Sequence, residues 1–240
     1  MKEQNSFLKG IKDGVPICLG YLSISFAFGI FACGSGLSVI EAVLMSMTNL
    51  TSAGQLAAVP IIAGGGTFLE LAISQIVINL RYALMSVSIS QKLGKSVKFI
   101  DRFLMSFSMT DEIFAVSYSN EGTIGKRYFY GLMVTPYIGW SGGTLLGACA
   151  GNILPEIVVS ALGIAIYGMF IAIVMPKVKK ERATALCVLL AVLLSFIFYF
   201  VPMLSRVPSG FVIIICAAVA SALFSAVAPL NVSEEGEENA

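Results

Sequence analysis

Thirteen of the fifteen Lys and Arg residues fall in four short clusters, Lys2/Lys9/Lys12, Lys92/Lys95/Lys98/Arg102, Lys126/Arg127 and Lys177/Lys179/Lys180/Arg182, and the chain between clusters is largely apolar. Basic clusters beside apolar runs mark the cytoplasmic side of a membrane. If all four lie on that side, the number of crossings between successive clusters must be even. That parity limits the fold more than any single motif does.

Apolar runs of about 18 residues or more are candidate spans. Clear ones lie at 15–34, 67–90, 128–151, 157–175, 184–203 and 209–229. Two further runs are irregular. The run 37–65 is too long for one straight span and carries Ser46, Thr48, Asn49, Thr51, Ser52 and Gln55 at its middle, while 103–118 is short and carries Thr110, Asp111 and Glu112. As a helix, 37–50 covers only about 21 Å, short of a hydrocarbon core of roughly 30 Å. Parity holds everywhere if both irregular runs enter and leave on the same side. The fold expected is therefore all-α, a polytopic helical membrane protein with about six full spans plus two broken or re-entrant segments. Eight ordinary spans, with one or two clusters outside, is the competing arrangement. Residues 1–14 read as a cytoplasmic segment, 15–230 as the transmembrane domain and 231–240 as a disordered acidic tail, with no removable signal peptide.

Composition narrows the function classes. Hydrophobic residues make up 57% of the chain and charged ones 12%, against about 25% charged in a soluble domain. There is no histidine, and the five cysteines lie in apolar segments without C-x-x-C spacing. A metal site, a structural disulfide, a cofactor and an intramembrane enzyme are therefore not expected, nor is a nucleic-acid partner. Gly139, Gly143, Gly147 and Gly151 recur every four residues and form one small-residue face for close helix packing. Ala217, Ser221 and Ser225 suggest the same in the last span. Pro60 argues for a bend.

Polar and charged side chains at membrane depth must face protein or a wet cavity. Thr48, Thr51 and Gln55 share a helical face, and Ala53-Gly54 offers a place for the chain to open. In the next span Glu70, Ser74 and Arg81 form one stripe, with Gln75 and Asn79 beside it. Arg81 lies about 15 Å from the cytoplasmic end at 1.5 Å per residue, near the middle. Thr110 followed by two acids is a helix N-cap signal inside an apolar run. Asp111 or Glu112 could pair with Arg81, bind the ammonium of a zwitterion or carry a proton; the plainer reading is a structural ion pair. The candidate substrate-binding or translocation residues are Thr51, Gly54, Gln55, Asn79, Arg81, Thr110, Asp111 and Glu112. Broken helices beside a buried guanidinium suit a carrier for a neutral amino acid, and equally a channel.

The ordered set Ala53-Gly54-Gln55, Asn79-Leu80-Arg81-Tyr82 and Thr110-Asp111-Glu112, within "TSAGQLAA", "INLRYALMSVSIS" and "SMTDEIFAVS", resembles the AzlC family of branched-chain amino acid permeases. The likeness runs over about residues 7–205. It departs at Phe26–Gly29, FAFG in place of Pro-Phe-Gly. The resemblance implies an exporter of leucine, isoleucine, valine and often methionine in a bacterial inner membrane. It further implies proton coupling and a small hydrophobic AzlD-type partner subunit, in a complex that could itself be a homo-oligomer.

Overall fold

A computed structural model describes residues 6–120, 122–151, 153–204 and 207–227. The acidic tail expected at 231–240 lies outside them. The described residues form helices only: α1 (Phe7–Gly34), α2 (Val39–Thr48), α3 (Ser52–Ala63), α4 (Phe68–Lys92), α5 (Phe99–Phe107), α6 (Asp111–Tyr118), α7 (Lys126–Ala150), α8 (Glu156–Lys180), α9 (Arg182–Phe200) and α10 (Ser209–Val227). Among the described residues α1, α4 and α9 are long and apolar enough to cross a membrane. The protein is a helical membrane protein, and both irregular runs are broken in two. The chain divides into two compact units, residues 1–169 and 170–240.

In the first unit α1 and α7 run parallel in backbone contact. A Cβ on Gly10 would meet Tyr128 O at 2.1 Å, one on Gly29 would meet Thr144 O at 2.3 Å, and one on Gly147 would meet Phe26 O at 1.9 Å. The four-residue glycine period of α7 is thus a seam against α1, except at Gly151, where the nearest atom would be 3.5 Å away. Without a Cβ the two backbones approach to a distance that any larger residue prevents.

Each broken run turns back on itself. Asn49 ends α2 in extended backbone and Ser52 starts α3, so the opening precedes Gly54 rather than falling at Ala53-Gly54. Beyond the turn, Val59 of α3 packs with Leu37 and Ala42 from the start of the run and with Phe28 and Ala32 of α1. The run therefore comes back to the level at which it began. Pro60 does not break α3, which continues to Ala63.

The second hairpin is closed at its base. Gly94 N–H donates to Ile124 O at 2.9 Å, and Ile124 N–H donates to Lys92 O at 2.8 Å. Residues 94–124 thus leave and return at one place, with the break at Ser108–Thr110 at the far tip. Side chains reinforce that end. Lys92 Nζ donates to the carbonyls of Tyr118 and Asn120, Lys9 Nζ reaches Asp13 at 3.0 Å and Asn120 at 3.4 Å, and Tyr128 donates to Asp13 at 2.8 Å. Lys9 and Lys12 of the first basic cluster thus lie at the same end as Lys92 of the second. The two hairpins enter from opposite ends, and their tip residues Leu50 and Met109 share one core cluster with Tyr21 and Trp140.

Asp101 starts the second hairpin, accepting from Lys98 N–H at 2.9 Å and Tyr130 OH at 2.7 Å. The tyrosine hydroxyl, then the amide, hold its carboxyl below the ordinary carboxylate range. A depressed acid stabilises above its unfolded value, and that stability fades as pH falls through the folded one. The thermal midpoint of Asp101→Asn should fall below wild type at pH 7, and the gap should close as pH drops below about 4.

In the second unit α10 packs on α9. Among the described residues its buried positions are Gly210, Cys216 and Ala220. Of the face expected from the sequence, Ala217 and Ser221 are exposed, one residue after the buried Cys216 and Ala220, and the Ser225 side chain lies outside the described residues.

Candidate functional site

The two hairpin tips bring three polar groups into the middle of the first unit. The first is built on α6. Thr110 is its N-cap and accepts from Ile113 N–H at 3.4 Å. Asp111 and Glu112 follow in the first turn, where helical geometry turns successive side chains about 100° apart. They reach different partners. Asp111 Oδ2 lies 2.8 Å from Arg81 Nη1 of α4. Glu112 Oε2 lies 2.5 Å from Tyr21 OH of α1, and the same phenol oxygen is 2.7 Å from Thr110 Oγ1. A phenol has one proton, so only one of these contacts can be its donation; the shorter one, to a carboxylate, is the charge-assisted one.

Arg81 donates its second terminal nitrogen to Tyr82 OH at 3.1 Å, and its guanidinium lies 4.9 Å from that ring's centre. The Arg81 and Asp111 side chains remain 46% and 42% exposed. This decides what the pair can do: a sealed ion pair is inert, whereas this one can exchange partners with a ligand that reaches it. The stripe expected from sequence divides here. Glu70 and Ser74 are buried, and Arg81 is not.

The second group joins the first tip to α4. Gln75 Nε2 donates to Gly54 O at 2.9 Å, and Asn79 Nδ2 donates to Gln75 Oε1 at 3.2 Å. A Cβ on Gly54 would sit 2.4 Å from Thr51 Oγ1 and 2.5 Å from Gln75 Oε1, so glycine is what lets these helices meet. Asn79 Oδ1 is buried without a partner. Thr51 is the N-cap of α3, but its hydroxyl donates to Asn49 Oδ1 at 2.6 Å instead of capping the helix. The first intrahelical bond is Gln55 N–H to Thr51 O at 2.8 Å, which leaves the amides of Ser52, Ala53 and Gly54 ahead of it at the positive end of the helix. Gln75, Asn79 and Tyr82 lie on one face of α4, so Tyr82 links this group to the first.

The third group is closed. Gln55 is fully buried. Its Nε2 donates to Ser46 Oγ at 2.9 Å and its Oε1 accepts from Trp140 Nε1 at 2.8 Å. Ser46 meets Thr144 Oγ1 at 2.7 Å. Ser46 near the end of α2 and Gln55 near the start of α3 thus bind each other and α7. Trp140 also packs edge-on against Tyr21, ring centres 5.2 Å apart. Trp140→Phe would leave Gln55 Oε1 buried and unpaired, at a cost of about 1–3 kcal/mol. Thermal unfolding in detergent should show that loss, and Trp140→Phe/Gln55→Met should lose less than the two single changes added.

Of the residues singled out from the sequence, Arg81, Thr110, Asp111 and Glu112 meet in one group, Thr51, Gly54 and Asn79 in a second, and Gln55 lies in the third. Sequence reasoning missed Tyr21, Trp140 and Thr144. The available signal was the single Trp and a mid-span Tyr, since a buried indole N–H or phenol O–H requires a partner.

Comparison with known proteins follows the same residues. The family profile described as AzlC protein matches residues 16–154. An Archaeoglobus fulgidus protein named "uncharacterized membrane protein" is 34% identical over 181 residues, 75% of this chain and 79% of its own length. Inner membrane protein YgaZ of Escherichia coli K12 is 26% identical over 76% of this chain and 77% of its own. Branched-chain amino acid transport protein AzlC of Bacillus subtilis is 23% identical over 70% of this chain and 66% of its own. No solved structure matches the chain.

Proposed function

Because this chain belongs to the AzlC family, we propose that it is a membrane carrier exporting branched-chain and related hydrophobic amino acids from the cytoplasm. In this reading leucine, isoleucine, valine and methionine are the substrates, the proton gradient drives export, and a small hydrophobic AzlD-type subunit completes the complex. The printed name of the Bacillus subtilis relative supports the substrate class. The gathered basic clusters support a cytoplasmic N-terminus in a cell membrane.

The observation that carries the reading is the half-exposed Arg81–Asp111 pair between two opposed hairpin tips. A zwitterion can replace one internal ion pair by two, carboxylate to Arg81 and ammonium to Asp111, with no net charge added to the membrane interior. The uncapped amides of α3 and the unpartnered Asn79 carbonyl offer further polar contacts. An aliphatic side chain would lie against the apolar tip residues Leu50, Met109 and Phe114. Opposed hairpins then allow access from each end in turn.

The test is counterflow of labelled leucine or valine in proteoliposomes, with and without the small partner. The carrier predicts saturable exchange that prefers the L-enantiomer. Unsaturable flux without stereospecificity would replace it by a channel.

A further inference from the structure

Asp111 and Glu112 are neighbours in sequence, yet the fold gives them different electrostatic lives. Asp111 has a guanidinium at 2.8 Å. Glu112 has a phenol at 2.5 Å, and among the described residues it makes no ion pair. The titratable groups that face it are Tyr21 from α1, Tyr82 with Arg81 from α4, and Asp111 on its own helix; behind Tyr21, α7 contributes the indole of Trp140. The one cation in that set is already engaged. Glu112 is exposed, so water can bring it a proton, and at membrane depth a bound proton removes a negative charge that no cation balances.

We propose that Glu112 is the proton-binding residue of this carrier, with Tyr21 as the hydrogen-bond partner that reports its charge to the rest of the site, while Asp111 stays ionised opposite Arg81. The assignment rests on the reading of the chain as a proton-coupled exporter. When Glu112 is ionised, Tyr21 donates to it. When Glu112 takes a proton from water, the carboxylic acid becomes a donor and the tyrosine proton is free to turn to Thr110 Oγ1, 2.7 Å away. Tyr21 is also the ring against which Trp140 packs, and Trp140 holds Gln55 of the first hairpin. A charge change at the tip of the second hairpin therefore acts on a group in contact with the first.

A polar pocket opens further along the helix that carries Glu112. Val116 and Ser119 lie one and two turns beyond Glu112 on the same stripe of α6. Both line a polar pocket of about 450 Å³ at the basic end, together with Lys9, Lys12, Asp13 and Asn120. The pocket wall thus comes within one helical turn of the carboxylate.

Two measurements on the purified full-length protein test this. The first is an infrared pH titration reading the carbonyl stretch of a protonated carboxyl group. Because the chain holds 14 Asp and Glu, the reading is a difference: wild type minus Glu112→Gln should show one carboxyl band, and the same band should remain in Asp111→Asn minus Asp111→Asn/Glu112→Gln. Tyr21→Phe should change the frequency of that band, because the acid's carbonyl then loses its phenol partner 2.5 Å away. The second compares leucine counterflow with transport driven by a pH gradient in proteoliposomes. Glu112→Gln, which mimics the protonated acid, should lose gradient-driven transport by tenfold or more, and whatever exchange it retains should no longer respond to the pH gradient. No difference band between wild type and Glu112→Gln, or undiminished gradient-driven transport in that variant, would overturn the assignment. Failure of wild type to exchange leucine or valine would instead overturn the substrate reading, and the infrared titration would still decide Glu112.

Discussion

Gly147→Ala is expected to remove the folded protein from the membrane, although it adds a single methyl group. Its Cβ would lie 1.9 Å from Phe26 O and 2.7 Å from Phe26 C, both backbone atoms of α1. A flexible side chain could turn aside; a helix backbone can relieve the contact only by moving away as a unit, and the neighbouring seam positions Gly139 and Gly143 resist this in the same way. Overpacking of a fitted interface costs about 1–3 kcal/mol and occasionally more, and a backbone-limited contact belongs at or above the upper end. The measurement is the yield of monodisperse protein in mild detergent and its thermal midpoint. The control is Gly142→Ala on the same helix, where a Cβ would meet nothing within 4 Å. Alanine there should be neutral or stabilising by up to about 1 kcal/mol from helix propensity. If both variants behaved alike, the close approach of α1 and α7 would not be what holds this unit together.

The second large effect concerns Arg81 and Asp111, and it separates a transport role from a structural one. Arg81→Gln leaves a carboxylate at mid-membrane without its cation, and Asp111→Asn leaves the guanidinium without its anion. A lone charge at a helix centre costs about 2.5–3.5 kcal/mol on insertion scales, less here because both side chains are almost half exposed. Each single variant should accumulate to a lower level and export leucine at least tenfold more slowly per molecule. Arg81→Gln/Asp111→Asn removes both charges and keeps the shapes. Its protein level should return toward wild type while export stays low. Recovery of export in the double variant would reduce the pair to an internal counter-ion and move the substrate site elsewhere.

Much of this was legible from residue order, and the remainder was not for definite reasons. The breaks at Asn49–Thr51 and Ser108–Thr110 announced themselves because polar side chains and an N-cap signal interrupted apolar runs too long or too short to span. Parity of the basic clusters anticipated that both runs turn back. Arg81 was found because a guanidinium ten residues from a span's end has few excuses. Which acid it would meet was not readable: Asp111 and Glu112 are separated by about 100° of helix rotation, and rotation is set by the packing of α6 against α1, α4 and α7. Tyr21 was overlooked since its partner is 91 residues away, and nothing in local spacing links them. Gln55 looked like a cavity residue for the same reason, its partner Trp140 being 85 residues off. In α10 the small-residue pattern was visible, but Cys216 and Ala220, one position before Ala217 and Ser221, are the residues buried there.

The backbone bonds joining Lys92 and Gly94 to Ile124 have a mechanical consequence. A hairpin tied at its feet and broken at its tip is a cantilever: stiffness is greatest where the chain is clamped, and compliance accumulates toward Ser108–Thr110. Beside it, the fused pair α1 and α7 supplies a fixed post. Motion in such an arrangement needs no large body to swing through the bilayer. A small deflection of the free end displaces the two carboxylates it carries, while the surface presented to the lipid stays nearly unchanged.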